Sequence, residues 1–316
     1  MLFYFVSIAL GSLHRCHRFN LFNNCLCDVD SDGEILNTAR IDLSIEDGIT
    51  IYDGEIVSDA DWTVTTYPWD LNEDFLLDVD AMWEICKRDP KLWNAQINTL
   101  GAICDIFTDD LSLSVYFNRD NAERALSDNR IRYTMVSRIL TDLRDQGLIS
   151  SLYFGDDVSF EFKNDQVKRC LTVAGQILEL YVALRMIAIK DEDGYPLYND
   201  VKVGTVIAWG HSDDEYETPT VNEVDVIAMR GAIPVFISCK NGFFDADELY
   251  KLNTVAERFG GKYSKKVIVA TEMDRMGLKA EYLEARMEDM GIRCIDALDE
   301  MSDPEIERVF SSLWRN

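Results

Sequence analysis

Asn222-Glu223-Val224-Asp225-Val226-Ile227-Ala228-Met229-Arg230-Gly231-Ala232-Ile233-Pro234-Val235-Phe236-Ile237-Ser238-Cys239-Lys240-Asn241 reads as two apolar strands joined by a tight turn, and this hairpin decides the fold. Side chains alternate along a strand. Glu223 and Asp225 therefore share one face of the first strand, and Ser238 and Lys240 share one face of the strand that returns beside it. Two acids and an ammonium converge at one end of the hairpin. Carboxylates hold a hard divalent cation, and a lysine beside them orients a water and offsets charge on a phosphate, which is the equipment of metal-dependent phosphodiester hydrolysis.

The elements around the hairpin follow from periodicity. Residues 171–188, apolar at Leu171, Ile177, Leu178, Leu180, Tyr181, Val182, Leu184 and Met186, predict a buried helix with a single acid, Glu179. Apolar runs at 201–209, 224–229 and 233–239 predict three strands. A helix over 245–259, a strand at 266–271, a helix over 278–290, a strand at 292–295 and a last helix over 304–314 complete an α-β-β-β-α-β-α-β order.

An acid followed thirteen residues later by Ser-Cys-Lys resembles the D…(D/E)-x-K signature of restriction-endonuclease-like nucleases, and the element order matches their common core. The phrases Gly175-x-x-Leu178-Glu179-x-Tyr181, Asn222-Glu223-Val224-Asp225, Ile237-Ser238-Cys239-Lys240-Asn241-Gly242 and Glu248-Leu249-Tyr250-Lys251-Leu252, followed by Gly260-Gly261-Lys262, resemble one branch in particular. These are the CRISPR-associated ancillary nucleases in which a CRISPR-associated Rossmann-fold (CARF) sensor binds a cyclic oligoadenylate and switches on a C-terminal nuclease. The matching phrases span roughly residues 169–270 and are specific in combination, each being weak alone. The resemblance implies an α/β fold with a restriction-endonuclease-like mixed sheet flanked by helices, a Mg2+ or Mn2+ cofactor, a DNA and/or RNA substrate, a homodimer, and a cytoplasmic role in antiviral defence. It also implies roles: Asp225, with Glu179 and with Glu223 or Glu248, holds the metal, Lys240 positions the attacking water, and Ser238 lines the site.

Ser238 stands where the broader superfamily carries Asp or Glu, and a hydroxyl is a poor substitute for a carboxylate on a hard cation. Glu223, on the strand face of Asp225, and Glu248, on the helix after the lysine strand, are the candidate replacements. Each residue also has a plainer explanation. Asp225 sits in a Val-Asp-Val-Ile-Ala run where an unpaired carboxylate is costly to bury, so either function or an ion pair with Lys240 accounts for it. A solvent-facing position on the helix accounts for Glu179, and the preference for acids in a first helical turn accounts for Glu248. Cys239, with no histidine nearby in sequence, reads as a small core residue. Asp225→Ala is expected to abolish cleavage while leaving the fold intact or more stable, because an isolated buried carboxylate costs free energy.

Composition bounds the rest. A chain of 316 residues, 47% hydrophobic, is long enough for two or three small domains with their own cores. Eight cysteines without regular spacing point to a reducing compartment and away from a disulfide framework. The run Leu2–Leu10 is too short to span a membrane and lacks the basic start of a signal peptide, so it reads as a core strand or the product of a misplaced or truncated start, and no membrane partner is expected. His14, Cys16, His17, Cys25 and Cys27 match no standard zinc spacing. A net charge of −26 works against phosphate contacts, which leaves a local basic groove or a surface adapted to high salt; abundant aspartate and scarce lysine lean toward the second. The acidic stretch from Ser212 to Glu217 reads as a solvated turn.

Residues 96–168 predict a winged-helix-like middle domain: a helix over 119–126, a second over 130–146 stopped by Gly147, and strands at 150–154 and 158–162 around Gly155-Asp156-Asp157. Arg130, Arg132 and Arg138, with Arg144, are candidate phosphate contacts. Asp142, Asp145 and Asp156 offset that charge, so a packing or dimerisation linker explains the segment equally well. Residues 1–95 predict a partial α/β sensor-like (CARF-like) domain, with strands at 35–43, 48–57 and 61–67 closing a sheet and a helix over 79–86; residues 169–316 form the nuclease domain. No glycine-rich phosphate loop is present, so control by cyclic oligoadenylate is implied by the resemblance alone. Two other functions fit the same residues: a non-catalytic winged-helix DNA-binding regulator on a decayed nuclease fold, and a repair or junction nuclease. Metal-stimulated cleavage separates the first, and substrate preference the second.

With a partial sensor, the chain is expected to dimerise through residues 1–168 and to respond little to cyclic oligoadenylate. Adding cyclic tetra-adenylate to a cleavage reaction should change the rate by less than about tenfold, the factor that corresponds to about 1.4 kcal/mol of coupling. A larger rise overturns the partial sensor.

Overall fold

The computed structural model describes residues 17–20, 25–29, 35–40, 49–52, 55–58, 62–126, 133–209, 220–231, 233–260 and 263–315. The chain divides into two compact units: Met1–Tyr67 with Val182–Cys239 and Phe243–Asn316, and Pro68–Tyr181 with Lys240–Gly242. The N-terminal segment supplies β1 (His17–Asn20), β2 (Cys25–Val29), β3 (Ile35–Arg40), β4 (Ile49–Tyr52), β5 (Glu55–Ser58) and β6 (Trp62–Thr65). β1, β2 and β3 form an antiparallel sheet, and β4 pairs antiparallel with β5, so the strand expected over 48–57 is two strands.

The second unit begins with α1 (Glu73–Cys86) and α2 (Pro90–Phe107), followed by β7 (Ser114–Asn118), α3 (Arg119–Ala125), α4 (Tyr133–Asp145), β8 (Ile149–Phe154), β9 (Asp157–Phe162) and α5 (Asp165–Thr172). Its antiparallel sheet has the order β7-β9-β8 and lies in the same unit as α3 and α4. Local chemistry sets these boundaries. The Asp89 carboxylate accepts from the Leu92 N–H at 2.9 Å with Pro90 in the first turn, which starts α2. Gly147, at φ 72°, ends α4 in a left-handed turn. The apolar stripe of α4, Val136, Ile139, Leu140 and Leu143, is buried in the same unit as Val115 and Phe117 of β7 and Val158, Phe160 and Phe162 of β9. Trp83 stacks on Tyr181 with ring centres 4.4 Å apart. Burial pushes the Cys104 thiol up to about 12 against the opposing charge of Lys168, which suits a core residue and not a nucleophile.

The helix expected over 171–188 is two helices. α5 ends at Thr172 and α6 (Gln176–Ala188) starts afresh, because Val173 is extended and Gly175 stands at φ 93°, where its carbonyl accepts from the Leu178 N–H at 3.0 Å.

The first unit continues with β10 (Asp200–Trp209), β11 (Thr220–Arg230), β12 (Ile233–Lys240), α7 (Ala246–Gly260), β13 (Lys265–Ala270), α8 (Leu278–Met290), β14 (Ile292–Ile295) and α9 (Asp303–Phe310). One six-stranded sheet runs β14-β13-β12-β11-β10-β6. It is mixed: β6, β10, β11 and β12 pair antiparallel in succession, while β13 and β14 are parallel across the α8 crossover. β6 therefore extends this sheet and does not close the N-terminal one, contrary to the expectation for 61–67. A strand's own sequence shows that it pairs but not with which partner. α7 presents Leu249, Leu252, Val255 and Phe259, and α8 presents Leu283 and Met287, to a core shared with Ile207, Ile227, Phe236 and Ile268 of the sheet. Each such buried side chain stabilises by about 1.5–3 kcal/mol relative to exposure. α9 stops at Phe310, short of the expected 314; beyond it Trp314 lies under the Arg230 guanidinium, 4.0 Å from the ring centre. Among the described residues no helix is long and apolar enough to cross a membrane.

Gly101 in α2 faces the carbonyl oxygen of Thr172 at the end of α5 so closely that any Cβ would collide with backbone. Alanine for glycine within a helix ordinarily gains about 0.5–1 kcal/mol. Here the sign should reverse: Gly101→Ala is expected to cost about 1–3 kcal/mol by overpacking, read as a lower midpoint in urea unfolding.

Candidate functional site

The register of the β11–β12 hairpin builds the site. Ala228 pairs with Val235 and Val226 with Ile237, and one further step brings Asp225 opposite Ser238. The Ser238 hydroxyl donates to Oδ2 of Asp225 at 3.1 Å, and the backbone N–H of Cys239 donates to the same oxygen at 2.6 Å. Asp225 is half-buried, whereas Ser238 and Cys239 are buried. Two donors on one oxygen fix the carboxylate in distance and rotation. Ser238, read from sequence as a missing ligand, is thus a donor that orients the acid.

Across β11 lies β10, where Val203 pairs with Val226 and Thr205 with Val224, so Gly204 falls opposite Asp225. Gly204 stands at φ 60°, and a Cβ built there would sit 3.6 Å from Oε1 of Glu223. That separation is an ordinary contact, so it is the backbone conformation, which residues with a Cβ avoid, that calls for glycine here. Sequence reasoning passed over this residue, although a glycine inside a strand pattern signals a bulge or a close approach.

Glu223 is exposed on β11. Glu248, in the first turn of α7, bridges Lys251 at 2.7 Å. Both belong to the first unit with Asp225 and Ser238, while Glu179 and Lys240 belong to the second. Glu179, near the start of α6, accepts from the Gln176 side-chain amide at 3.0 Å. Burial raises the Cys170 thiol above its ordinary range; Arg169 opposes this, and Glu179 and Asp78 reinforce it. Asp78 is 5% exposed and pairs with Lys163 at 2.7 Å. Lys240 is the half-buried last residue of β12.

Of the arginines, Arg138 is exposed on α4, while Arg130 and Arg132 lie outside the described residues, as do the loop 212–217 and the side chains of His14, Cys16, His17, Cys25 and Cys27. Arg144 is engaged with Asp145 at 2.7 Å.

Among the described residues no group of three or more His, Cys, Asp or Glu is placed to hold a metal ion. Asp225 and Glu223 offer hard oxygen donors from one strand. That donor set fits Mg2+ or Mn2+, since Mg2+ usually keeps several waters and takes one or two carboxylates plus substrate phosphates.

No family model matches the sequence, and no curated protein does. Among solved structures, the crystal structure of protein VC1899 from Vibrio cholerae aligns with a TM-score of 0.60 and 21% identity, over 95% of this chain and 68% of that one. Can2 from Sulfobacillus thermosulfidooxidans, solved in complex with cyclic tetra-adenylate (cA4), aligns with a TM-score of 0.49 and 15% identity, over 93% of this chain and 68% of that one. The likeness to VC1899 is one of fold.

The two donors on Asp225 change the stability expected of its removal. Asp225→Ala leaves the buried Cys239 N–H and Ser238 hydroxyl without this acceptor, which costs about 1–3 kcal/mol and outweighs relief from burying a half-exposed acid. The variant should unfold at a lower urea concentration than the wild type, whereas Glu223→Ala, at an exposed position, should shift the midpoint by about 0.5 kcal/mol or less.

Proposed function

We propose that the chain is a Mg2+- or Mn2+-dependent endonuclease of the restriction-endonuclease-like type, acting on DNA and/or RNA. One observation carries this reading: the Asp225 carboxylate, set in an apolar inner strand, is held by the Ser238 hydroxyl and the Cys239 N–H, and the strand register sets Asp225 opposite a left-handed glycine, Gly204. An acid in an apolar strand costs free energy, and so does glycine within a strand. Two local costs at one place are the mark of a site kept for chemistry.

When bound, the cation would polarise the phosphoryl oxygens and lower the pKa of a coordinated water. The chain's own groups do the rest. Ser238 and the Cys239 N–H keep Asp225 turned for binding. Glu223, beside Gly204, is the first choice for the second carboxylate, ahead of Glu248, whose charge is met by Lys251. Glu179 is the further acid, and Lys240 supplies an ammonium that orients the attacking water and offsets charge on the phosphate. Assembly as a homodimer, a place in CRISPR-linked defence and control by a cyclic oligoadenylate belong to the same proposal and rest on the sequence phrases between residues 169 and 270.

A second reading, a winged-helix DNA-binding regulator without catalysis, has the β7-β9-β8 topology in its favour. Cleavage decides between them. Supercoiled duplex, single-stranded DNA and RNA are incubated with Mg2+, Mn2+ or a chelator. Metal-dependent nicking or cutting of at least one substrate is expected, and binding without cleavage in any metal supports the regulator. Asp225→Asn should lose about a thousandfold or more, matching the several kcal/mol of charge stabilisation a cation gives. Ser238→Ala, which removes one of two donors, should lose roughly tenfold. Undiminished cleavage by Asp225→Asn sinks the site.

A further inference from the structure

We propose that Asn94 is a positioning residue for Lys240, an inference that rests on the nuclease reading above. The segment Lys240–Gly242 belongs to the unit that contains α1 and α2. Within that unit the Asn94 side-chain amide donates to the main-chain carbonyl of Asn241. In return, Oδ1 of Asn94 accepts from the Asn241 side-chain amide at 2.8 Å. The same Asn241 amide reaches Sγ of Cys86 at 3.5 Å. Residue 241 is thus gripped by its backbone and its side chain at once, and a two-point contact blocks rotation as well as translation.

Lys240 is one peptide unit away. Its side chain has four rotatable bonds, so the ammonium can be placed only if the backbone that carries it is held. Gly242 completes the arrangement: at φ 116° it turns the chain in a conformation that leaves Asn94 facing Asn241, with the Asn94 amide nitrogen 3.9 Å from where a Cβ would stand. The position of Asn94 is itself secured, since the Asp89 cap and Pro90 define where α2 starts. No motif joins residues 94 and 241, which is why the sequence does not announce the pair.

The test is a double-mutant cycle on the full chain, with cleavage kinetics, metal titration and hydrogen exchange. Asn94→Ala should lower kcat by about tenfold to a hundredfold, the loss expected when a reacting group is misplaced by about 1 Å. KM for the nucleic acid and the midpoint of Mn2+ activation should stay within about twofold, and amide exchange at Asn241 and Gly242 should quicken. Asn241→Ala should lose less, because its main-chain carbonyl still accepts from Asn94. In a Lys240→Ala background Asn94→Ala should cost nothing further, as it acts only through Lys240. If Asn94→Ala does not fold, Asn94→Asp replaces it, keeping the acceptor for the Asn241 amide but not the donor to its carbonyl. A wild-type kcat, a loss that adds to that of Lys240→Ala, or a loss confined to KM overturns the positioning role. Absence of metal-dependent cleavage in the wild type, or full activity in Lys240→Ala, overturns the nuclease reading first and this role with it, while the exchange data still report whether Asn94 holds the segment.

Discussion

Strand β12 is buried at every residue from Ile233 to Cys239, and only Lys240 at its end is partly exposed. A strand covered on both faces can carry a polar side chain only where a partner is waiting, because an unmet hydroxyl in that position costs roughly 1–3 kcal/mol. Ser238 is that exception, and its partner is Asp225 on β11. The pairing also pins the register. A slip of one residue would turn every side chain of the strand to the opposite face, sending Asp225 away from Ser238 and apolar residues out of the core. The apolar content of the hairpin and the placement of its acid are therefore one constraint. The packing of α7 and α8 on the sheet follows from it, since they cover a surface that this register defines.

Much of this was legible in the chain. The strands near 201–209, 224–229 and 233–239 and the helices near 245–259 and 278–290 are found within a few residues of their expected bounds, because each carries an apolar pattern bounded by turn residues. The failures have separate causes. The break between α5 and α6 is written in the backbone of Gly175, which a count of apolar spacings does not register. β7 was not anticipated because five residues with two buried apolar positions, Val115 and Phe117, are too few to form a pattern. The pairing of β6 with β10 is a contact between distant parts of the chain. At the candidate site the residue types were readable and their hydrogen bonds were not: that the Ser238 hydroxyl donates to Asp225 is a cross-strand contact, and the Cys239 N–H has no side-chain signature at all.

The acidity of the chain has a partly local explanation. Asp89 starts α2, and Glu305 accepts from the Ser302 backbone and hydroxyl, which hold its carboxyl below the usual range. The Asp296 carboxylate accepts from the N–H groups of Met273 and Asp274 at 2.9 and 2.6 Å, closing the turn after β13. Carboxylates in such positions satisfy donors that helix and turn starts leave open. They add negative charge without addressing any partner. A net charge of −26 is therefore a sum over unlike tasks, and it says less about nucleic-acid contact than the charge around one site.

Glycines carry as much of the candidate site as the charged residues do. Gly204 at φ 60° stands opposite Asp225, and Gly242 at φ 116° follows Lys240 by two residues. For any residue with a Cβ these backbone states are strained. An acid–lysine motif alone thus underdescribes the candidate site. The strand beside the acid and the turn after the lysine each take a backbone state that glycine adopts without strain. Both positions are held by residues with no side-chain chemistry of their own, so the candidate site rests on backbone geometry as well as on its charged groups.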